Sequence, residues 1–313
     1  RRLWLQHHGR FSLNLVSTRG CPFHCNWCAK PIWGQRYASH SPAHAADQAA
    51  YLRDTFGAGH LWWMDDIFGL KKGWVAAWGE AMQQRGGVMP FKALSRADLL
   101  VRPGEADAFA AAGAEMVWMG AESGSQKVLD AMDKGTLVSE IEDATARLHK
   151  NGVKVAFFLQ FGYPGETRDD IEATRALVRR AQPDDIGISV SYPLPGTRFF
   201  DSVAGQLGAK QHWLDSSDLD MLYEGPYPTA FYRQLHVVIH KDYKSRRTLR
   251  DVGTSLKPRK LARAAWDAAT LPLAEAKLNW LQRQPHKGVT PTGAAMARDA
   301  AAKPSTQDGG GAA

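Results

Sequence analysis

The sequence lacks any apolar run near the roughly 20 residues that a helix needs to span a bilayer. It also has no basic start followed by an apolar stretch and a small-residue cleavage site, the pattern of a secretory signal. We therefore expect a cytoplasmic protein that is not integral to the membrane. The chain opens with Arg1 rather than Met, so we expect residues 1–10 to be a lead-in that contains a truncation point.

Cysteine is scarce, with three residues among 313. Three thiols cannot all pair and a disulfide scaffold needs many more, so the count predicts a reducing compartment. All three nevertheless fall within eight residues, as Cys21, Cys25 and Cys28, in the spacing C-x3-C-x2-C. Scattered buried thiols would not cluster in this way, and the cluster predicts a site for a soft metal.

Two kinds of metal centre suit thiolates at this spacing. A structural zinc site closes with four ligands, so zinc would need His24, His40 or His44 as the fourth. An electron-transfer [4Fe–4S] cluster also has four cysteine ligands. Three thiolates on such a cluster leave one iron without a protein ligand, which is the open position that a catalytic metal centre requires. The sequence alone leaves zinc and iron–sulfur both open.

Short β-type runs alternate with segments of helical period through the first two hundred residues, which predicts a parallel sheet with helical crossovers. The fold class is α/β, and six such units favour a partial (βα)6 barrel over a complete eightfold one. We expect the barrel over residues 11–205, a basic and mainly helical segment over 206–284, and a disordered tail over 285–313. Pro258 and Pro272 are expected to break the helices of the basic segment. The predicted strands are 11–16, 60–64, 91–95, 116–119, 153–161 and 185–190, and the predicted helices are 42–56, 72–85, 104–112, 125–132, 137–150 and 168–181.

Polar and glycine-rich groups follow each predicted strand. In a barrel of parallel strands these ends surround one mouth, where the functional residues lie. The groups are Asp65-Asp66-Ile67-Phe68, Ser95-Arg96-Ala97-Asp98, Gly120-Ala121-Glu122-Ser123-Gly124-Ser125, Gly162-Tyr163-Pro164-Gly165-Glu166-Thr167 and Ser191-Tyr192-Pro193-Leu194-Pro195-Gly196-Thr197.

With these motifs, the sequence resembles the radical S-adenosylmethionine (SAM) enzymes, whose signature is a C-x3-C-x-aromatic-C loop after the first barrel strand. The resemblance implies a [4Fe–4S] cluster on Cys21, Cys25 and Cys28, with SAM on the free iron. Reductive cleavage of SAM would then give methionine and a 5′-deoxyadenosyl radical. The residues it implies for cofactor binding are Trp27, Asp65, Asp66, Arg96, Glu122, Ser123, Ser125, Gly162 and Pro164.

Each of these assignments has a simpler structural alternative. The carboxylates and serines could cap the helices that follow them, because such groups favour helix N-termini. Arg96 could be an ion-pair residue, although a guanidinium also suits the SAM carboxylate through a bidentate pair. Gly162 could serve backbone conformation alone.

Within that family, the strand-end motifs are similar to the branch that includes the anaerobic porphyrin cyclases, which commonly carries a cobalamin domain. The Asp-x-His-x-x-Gly motif of that domain is absent from this sequence, so cobalamin is expected only if a domain upstream of Arg1 supplies it. With cobalamin, the resemblance implies methyl transfer to carbon, cyclisation or oxygenation; without it, the adenosyl radical acts alone. No cysteines remain for a second cluster.

The expected partners are a small-molecule substrate and an electron donor such as a flavodoxin or ferredoxin. Residues 226–284 carry twelve Lys and Arg against four Asp and Glu, a net charge of +8, so the rest of the chain is close to neutral. A second hypothesis is therefore an RNA-binding module in which Tyr232, Tyr243 and Trp266 stack on bases, although nucleic acid is the less favoured partner. A third is a zinc-stabilised barrel without redox chemistry.

Overall fold

A computed structural model describes residues 1–28, 36–207, 217–251 and 258–284 of the chain. The strands are β1 (Ser12–Leu15), β2 (Thr18–Arg19), β3 (Ala38–Ser39), β4 (His60–Trp63), β5 (Phe91–Ser95), β6 (Ala114–Glu122), β7 (Lys154–Phe161) and β8 (Asp185–Val190). The helices are α1 (Arg2–His8), α2 (Pro42–Phe56), α3 (Trp74–Gln83), α4 (Ala97–Leu100), α5 (Glu105–Ala111), α6 (Gln126–Ala131), α7 (Val138–Lys150), α8 (Arg168–Ala181), α9 (Arg198–Val203), α10 (Thr229–Arg250) and α11 (Pro258–Gln282).

Six parallel strands form one sheet in the order β1-β4-β5-β6-β7-β8. The order follows the chain without reversal, so the right-handed crossovers place their helices on one face of the sheet. This order fits a partial barrel rather than a doubly wound sheet, whose strand order reverses at a switch point. The predicted parallel α/β fold with a helical C-terminal part is confirmed. The predicted tail over 285–313 lies outside the described residues.

Local signals in the sequence set the helix starts. Ser41 caps α2 by accepting a hydrogen bond from the His44 backbone, 3.2 Å away. Thr167 and Asp170 form the capping box of α8. A side-chain cap satisfies an amide that has no partner within the helix, so these positions fix where each helix begins.

The side chain of Phe68 is completely buried, in the aromatic core between the sheet and its helices. Its ring stacks on Trp63 with centroids 4.7 Å apart and meets the edges of Trp74 and Phe91, each at 5.4 Å. The Phe68 backbone also donates to the Leu94 carbonyl. The turn after β4 is therefore fastened to the core immediately beyond Asp65 and Asp66.

The turn between β7 and α8 contains a buried carboxyl group. Glu166 accepts a hydrogen bond from the Gly162 backbone at 2.7 Å, and Gly162 has a φ of 83°, a conformation that glycine adopts without strain. The Tyr223 hydroxyl donates to the Gly162 carbonyl, which ties the C-terminal part of the chain to this turn. Burial raises the pKa of Glu166 to about 8.

The C-terminal part is a helical hairpin, since α10 and α11 pack along each other. Pro258 begins α11, as a first-turn proline can. The predicted break at Pro272 is wrong: α11 continues through it, with Pro272 exposed to solvent. Among the described residues, no helix is long and apolar enough to cross a membrane.

The hairpin also corrects the predicted role of two tyrosines. Tyr232 is 2% exposed and Tyr243 is 8% exposed, and both belong to the hydrophobic core. Rings in these positions cannot stack on nucleic-acid bases. The prediction that they form an RNA platform is wrong, and only Trp266 of the three lies on the surface.

We predict that Phe68→Ala lowers the free energy of unfolding by about 3–5 kcal/mol, because it leaves a cavity in a packed aromatic core. Urea denaturation followed by circular dichroism measures the change. Tyr51→Ala is the control, since Tyr51 is 59% exposed and its loss should cost far less. Equal destabilisation by the two substitutions would contradict this description of the core.

We also predict that Glu166 makes the protein less stable as pH rises. The unfolded carboxyl has a pKa near 4.5 and the folded one near 8, so the folded state holds an extra proton between these values. Stability contributed by that proton is present below pH 4.5 and is lost as pH rises through 8. Glu166→Gln should remove this dependence and flatten a plot of unfolding free energy from pH 5 to 8.5. A plot with the wild-type slope would show that Glu166 is already ionised in the folded protein.

Candidate active site

The cysteine loop lies at the carboxyl end of the parallel sheet, just after β2. Cys21 is buried, whereas Cys25 and Cys28 are half-buried, and none of the three forms a disulfide. A backbone hydrogen bond from Cys28 to the Cys25 carbonyl, 3.3 Å long, turns the end of the loop. The three thiols are thus held on one short loop at the mouth of the barrel.

Asn26 fastens this loop to its surroundings. Its backbone N–H donates to the Met132 carbonyl at 3.0 Å, and its Nδ2 donates to the Ala131 carbonyl at 2.7 Å. Its Oδ1 accepts from the Tyr163 hydroxyl at 3.0 Å, and its carbonyl accepts from the Phe199 backbone. Sequence reasoning missed Asn26, because only its position between the second and third cysteines marks it.

Arg96 lies directly against the loop. Its guanidinium carbon is 3.6 Å from the centroid of the Phe23 ring, and its Nη1 is 3.9 Å from Cys25 Sγ. Arg96 is only 4% exposed and is held by Asp98 at 2.8 Å. Its Nη2 donates to the Lys134 carbonyl at 2.8 Å, so one side chain connects β5, the cysteine loop and the segment after α6.

The groups around Cys21 have opposing effects on the pKa of its thiol. Burial raises the pKa of the Cys21 thiol, and the neighbouring Cys25 and Asp66 raise it further. A hydrogen bond from the Phe23 backbone and the positive charge of Arg96 lower it. Because metals bind the thiolate, loading a metal here would release the Cys21 proton.

Asp65 and Asp66 face different surroundings. Asp65 is 1% exposed, and its Oδ1 accepts from the backbone N–H groups of Ser17 at 2.6 Å and Thr18 at 3.0 Å. Burial raises the pKa of Asp65, while these hydrogen bonds lower it. Asp65 therefore holds the chain between β1 and the cysteine loop, and Asp66 lies near Cys21. The predicted SAM contact of either carboxylate stays a prediction.

Glu122 pairs with a lysine at the end of β6. Lys134 Nζ lies 2.9 Å from Glu122 Oε1, and both side chains are 7% exposed. Glu122 has a φ of 55°, a left-handed conformation that is uncommon for a residue with a side chain. A buried ion pair and an unusual backbone angle at one residue indicate that the turn is held in a defined shape.

Ser123 and Ser125 bind side chains of α8. Ser123 Oγ is 3.1 Å from Thr174 Oγ1, and Ser125 Oγ donates to Asp170 at 2.6 Å. The Gly124 backbone also donates to Thr174, so the Glu-Ser-Gly-Ser turn rests on the side of α8. The contact of Ser123 and Ser125 with SAM stays a prediction. In the structure, both hydroxyls form hydrogen bonds with side chains of α8.

The remaining predicted residues lie along the same mouth. Trp27 packs against an apolar cluster that includes Met132, Tyr163 and Phe199, and its indole N–H is buried with no hydrogen-bond partner among the described residues. Pro164 is half-buried in the turn after β7. The structure therefore brings Trp27, Asp66, Arg96 and the turns after β6 and β7 to one end of the sheet.

The face of the sheet opposite the helices carries aromatic rings. Val117, Met119, Phe157 and Leu159 belong to the helix-side core, so the alternation of strand side chains turns their neighbours to the inner face of the barrel. There Trp118 stacks on Phe158, with ring centroids 4.6 Å apart. A side chain added at Gly187 would touch both rings, which shows that Gly187 faces the same space.

The side chains at the mouth suit an iron–sulfur cluster better than a single metal ion. In the described residues, no three His, Cys, Asp or Glu side chains converge to hold one metal ion, and His24, His40 and His44 are exposed. A closed zinc site is therefore not formed by these side chains. An iron–sulfur cubane binds each thiolate at a different iron, so the three sulfur atoms need not converge on one point. Three thiols on one loop beside a buried guanidinium fit that donor set.

Comparison with known proteins agrees with this geometry. The chain is 26% identical over 233 residues to an uncharacterised methyltransferase of Pyrococcus horikoshii, covering 74% of this chain and 50% of the relative. It is 25% identical over 194 residues to the anaerobic magnesium-protoporphyrin IX monomethyl ester cyclase of Cereibacter sphaeroides, covering 60% of this chain and 31% of the relative. The chain thus spans half or less of these relatives.

Solved structures share the fold. The cobalamin-dependent SAM radical enzyme OxsB, with aqua-cobalamin and SAM bound, superposes with a TM-score of 0.59 at 16% identity, over 85% of this chain and 46% of that one. The methyltransferase TsrM from Kitasatospora setae, with cobalamin and a [4Fe–4S] cluster, gives 0.53 at 20% identity, over 61% and 39%. At these identities the likeness shows the architecture alone.

The family is shown by the match to the sequence profile of the Radical SAM superfamily, which covers residues 15–178. This range includes the cysteine loop, β4 to β7 and most of α8, and it is more than half of the chain. The chain belongs to the radical SAM superfamily.

Proposed function

We propose that this chain is the catalytic core of a radical SAM enzyme that acts on a small-molecule substrate. Cys21, Cys25 and Cys28 would hold a [4Fe–4S] cluster, and the turns around the barrel mouth would receive SAM. When bound, the cluster and SAM supply a carbon radical that abstracts hydrogen from the substrate. The observation that carries the proposal is the position of the cysteine loop at the carboxyl ends of six parallel strands, in contact with Arg96.

In this proposal the buried side chains keep the loop in place. Arg96 and Asn26 attach it to the segment after α6, and Asp65 attaches the strand that leads into it. The positive charge of Arg96 also favours the thiolate form of Cys21, against the effect of burial. Asp66 adds a carboxylate near the thiols, where it can accept a hydrogen bond from an amino group such as that of SAM.

The inner face of the sheet supports a substrate with an aromatic or apolar part. Trp118 and Phe158 present a stacked pair there, and Phe158 is 38% exposed. Lys92 lies over the Trp62 ring at 5.6 Å, so a cation accompanies the aromatic surface. Rings of this kind bind planar or apolar groups by stacking.

The reaction proposed is carbon methylation, cyclisation or rearrangement. Relatives named as a methyltransferase and as a porphyrin ester cyclase support the first two classes. Methylation with cobalamin would need a cobalamin-binding segment supplied from outside this sequence, which contains no Asp-x-His-x-x-Gly motif. A flavodoxin or ferredoxin is the proposed electron donor, because the cluster must be reduced for each SAM cleavage.

One prediction of this function concerns the cluster. After anaerobic reconstitution with iron and sulfide, the wild type should cleave SAM under dithionite and release 5′-deoxyadenosine, and Cys25→Ala should release none. Product formation is measured by liquid chromatography. His24→Ala is the control, since His24 lies on the same loop with an exposed side chain. Wild-type protein that binds zinc and no iron would instead support the zinc-stabilised barrel.

A further prediction of this function concerns Arg96 as a positioning residue. Arg96→Lys keeps the charge but cannot span Cys25, Lys134 and Thr136 with one planar group. We expect iron content to stay near wild type while 5′-deoxyadenosine formation falls about tenfold or more, because small displacements of reacting groups are costly.

Arg85→Lys is the matched control, since Arg85 lies between α3 and β5 at the opposite end of the sheet from the cysteine loop, where it pairs with Asp47 at 2.7 Å and donates to the Ala81 carbonyl at 2.9 Å. The electron paramagnetic resonance spectrum of the reduced cluster, with and without SAM, gives a second readout. Wild-type cleavage and an unchanged spectrum in Arg96→Lys would contradict the positioning role.

A further inference from the structure

Helix α11 is apolar on two opposite faces. The first face packs inward through Ala264, Ala274, Leu278 and Leu281, all of which are buried. A helix of a globular protein normally turns polar residues outward from such a face. The outward face of α11 instead carries further apolar side chains, and the structure shows no residues covering it among those described.

The outward apolar residues recur every seven positions. Trp266 is 63% exposed, Leu273 is 73% exposed and Trp280 is 59% exposed. Residues seven apart lie nearly above one another on a helix, so the three form one stripe about 21 Å long. A second stripe runs beside it and consists of the exposed alanines Ala262, Ala269 and Ala276.

The charges of α11 are divided between its faces. Its two acidic residues point inward, where Asp267 pairs with Lys241 of α10 at 3.1 Å and with Arg263 of α11 at 3.3 Å, and Glu275 pairs with Arg168 of α8 at 3.5 Å. The basic residues in and just after the helix are all exposed. They are Arg259, Lys260, Arg263, Lys277 and Arg283.

We propose that this outward face of α11 binds the surface of an anionic lipid bilayer. An amphipathic helix that lies on a membrane combines an apolar stripe with flanking Lys and Arg, and it binds through buried apolar area together with attraction to anionic lipids. Tryptophan favours the interface between headgroups and hydrocarbon, and Trp266 and Trp280 stand at the two ends of the stripe. The helix would lie flat on the bilayer.

Other occupants suit the face less well. A second copy of this chain would bring the same cations of two α11 helices close together, and like charges repel. An acidic electron donor would pair with the cations of α11 but would not complement the apolar stripe between them. The bilayer is the partner that complements both the apolar stripe and the exposed positive charge.

The test is sedimentation of the 313-residue protein with vesicles, which requires neither cluster nor SAM and so is independent of the proposed function. We expect binding to phosphatidylcholine vesicles containing 30% phosphatidylglycerol, weaker binding in 0.5 M salt, and little binding to phosphatidylcholine alone. The triple variant Trp266→Ala, Leu273→Ala, Trp280→Ala should bind about tenfold or more weakly. The three side chains replaced in this variant are exposed in the wild type, so the variant should retain its fold. Circular dichroism would verify this.

Tyr51→Ala with Phe56→Ala is the matched control, because both rings are exposed on α2, away from the stripe. This variant should bind vesicles like the wild type. Absence of vesicle binding, or binding that the triple variant retains, would overturn the proposal. A wild-type dimer that the triple variant converts to monomer in analytical ultracentrifugation would assign the face to a second copy instead.

Discussion

The arrangement of the site depends on one buried cation. Arg96 leaves the end of β5, passes under the Phe23 ring and reaches Cys25 and the backbone beyond α6. A guanidinium has five donors in a fixed plane, so it can satisfy several acceptors at once and fix their relative positions. Burial of that charge is tolerated because Asp98 pairs with it at 2.8 Å. The cysteine loop is therefore held in a fixed position relative to the sheet.

The carboxylates and serines at the strand ends have a similar positioning role. Asp65 holds the approach to the cysteine loop, Glu122 pairs with Lys134, and Ser125 binds Asp170. Each is a group that sequence patterns mark as polar and near the mouth. What each one binds depends on neighbours that are distant in sequence, and a single sequence does not specify those neighbours. This explains why the motifs locate the site while leaving SAM contacts as predictions.

The fold was more predictable than the site. Apolar runs at strand period and caps such as Thr167 are local signals, and they placed the six parallel strands and most helices. The two-residue strands β2 and β3 and the short helix α4 have too few residues to show a period. Pro272 was misread because a proline at an exposed position can be accommodated within a helix that tertiary packing stabilises. Asn26 acts through contacts more than 100 residues away, which no local pattern indicates.

The C-terminal hairpin shows how little net charge alone reveals about a partner. Twelve basic and four acidic residues over 226–284 suit RNA, an acidic protein or an anionic membrane equally well. Burial of Tyr232 and Tyr243 removes two of the three proposed stacking rings from the surface. The acids of α11 pair inward and its bases remain outside, flanking the row that begins at Trp266. A flat apolar row between cations is the pattern that a bilayer surface complements, whereas base stacking needs separate rings presented along a groove.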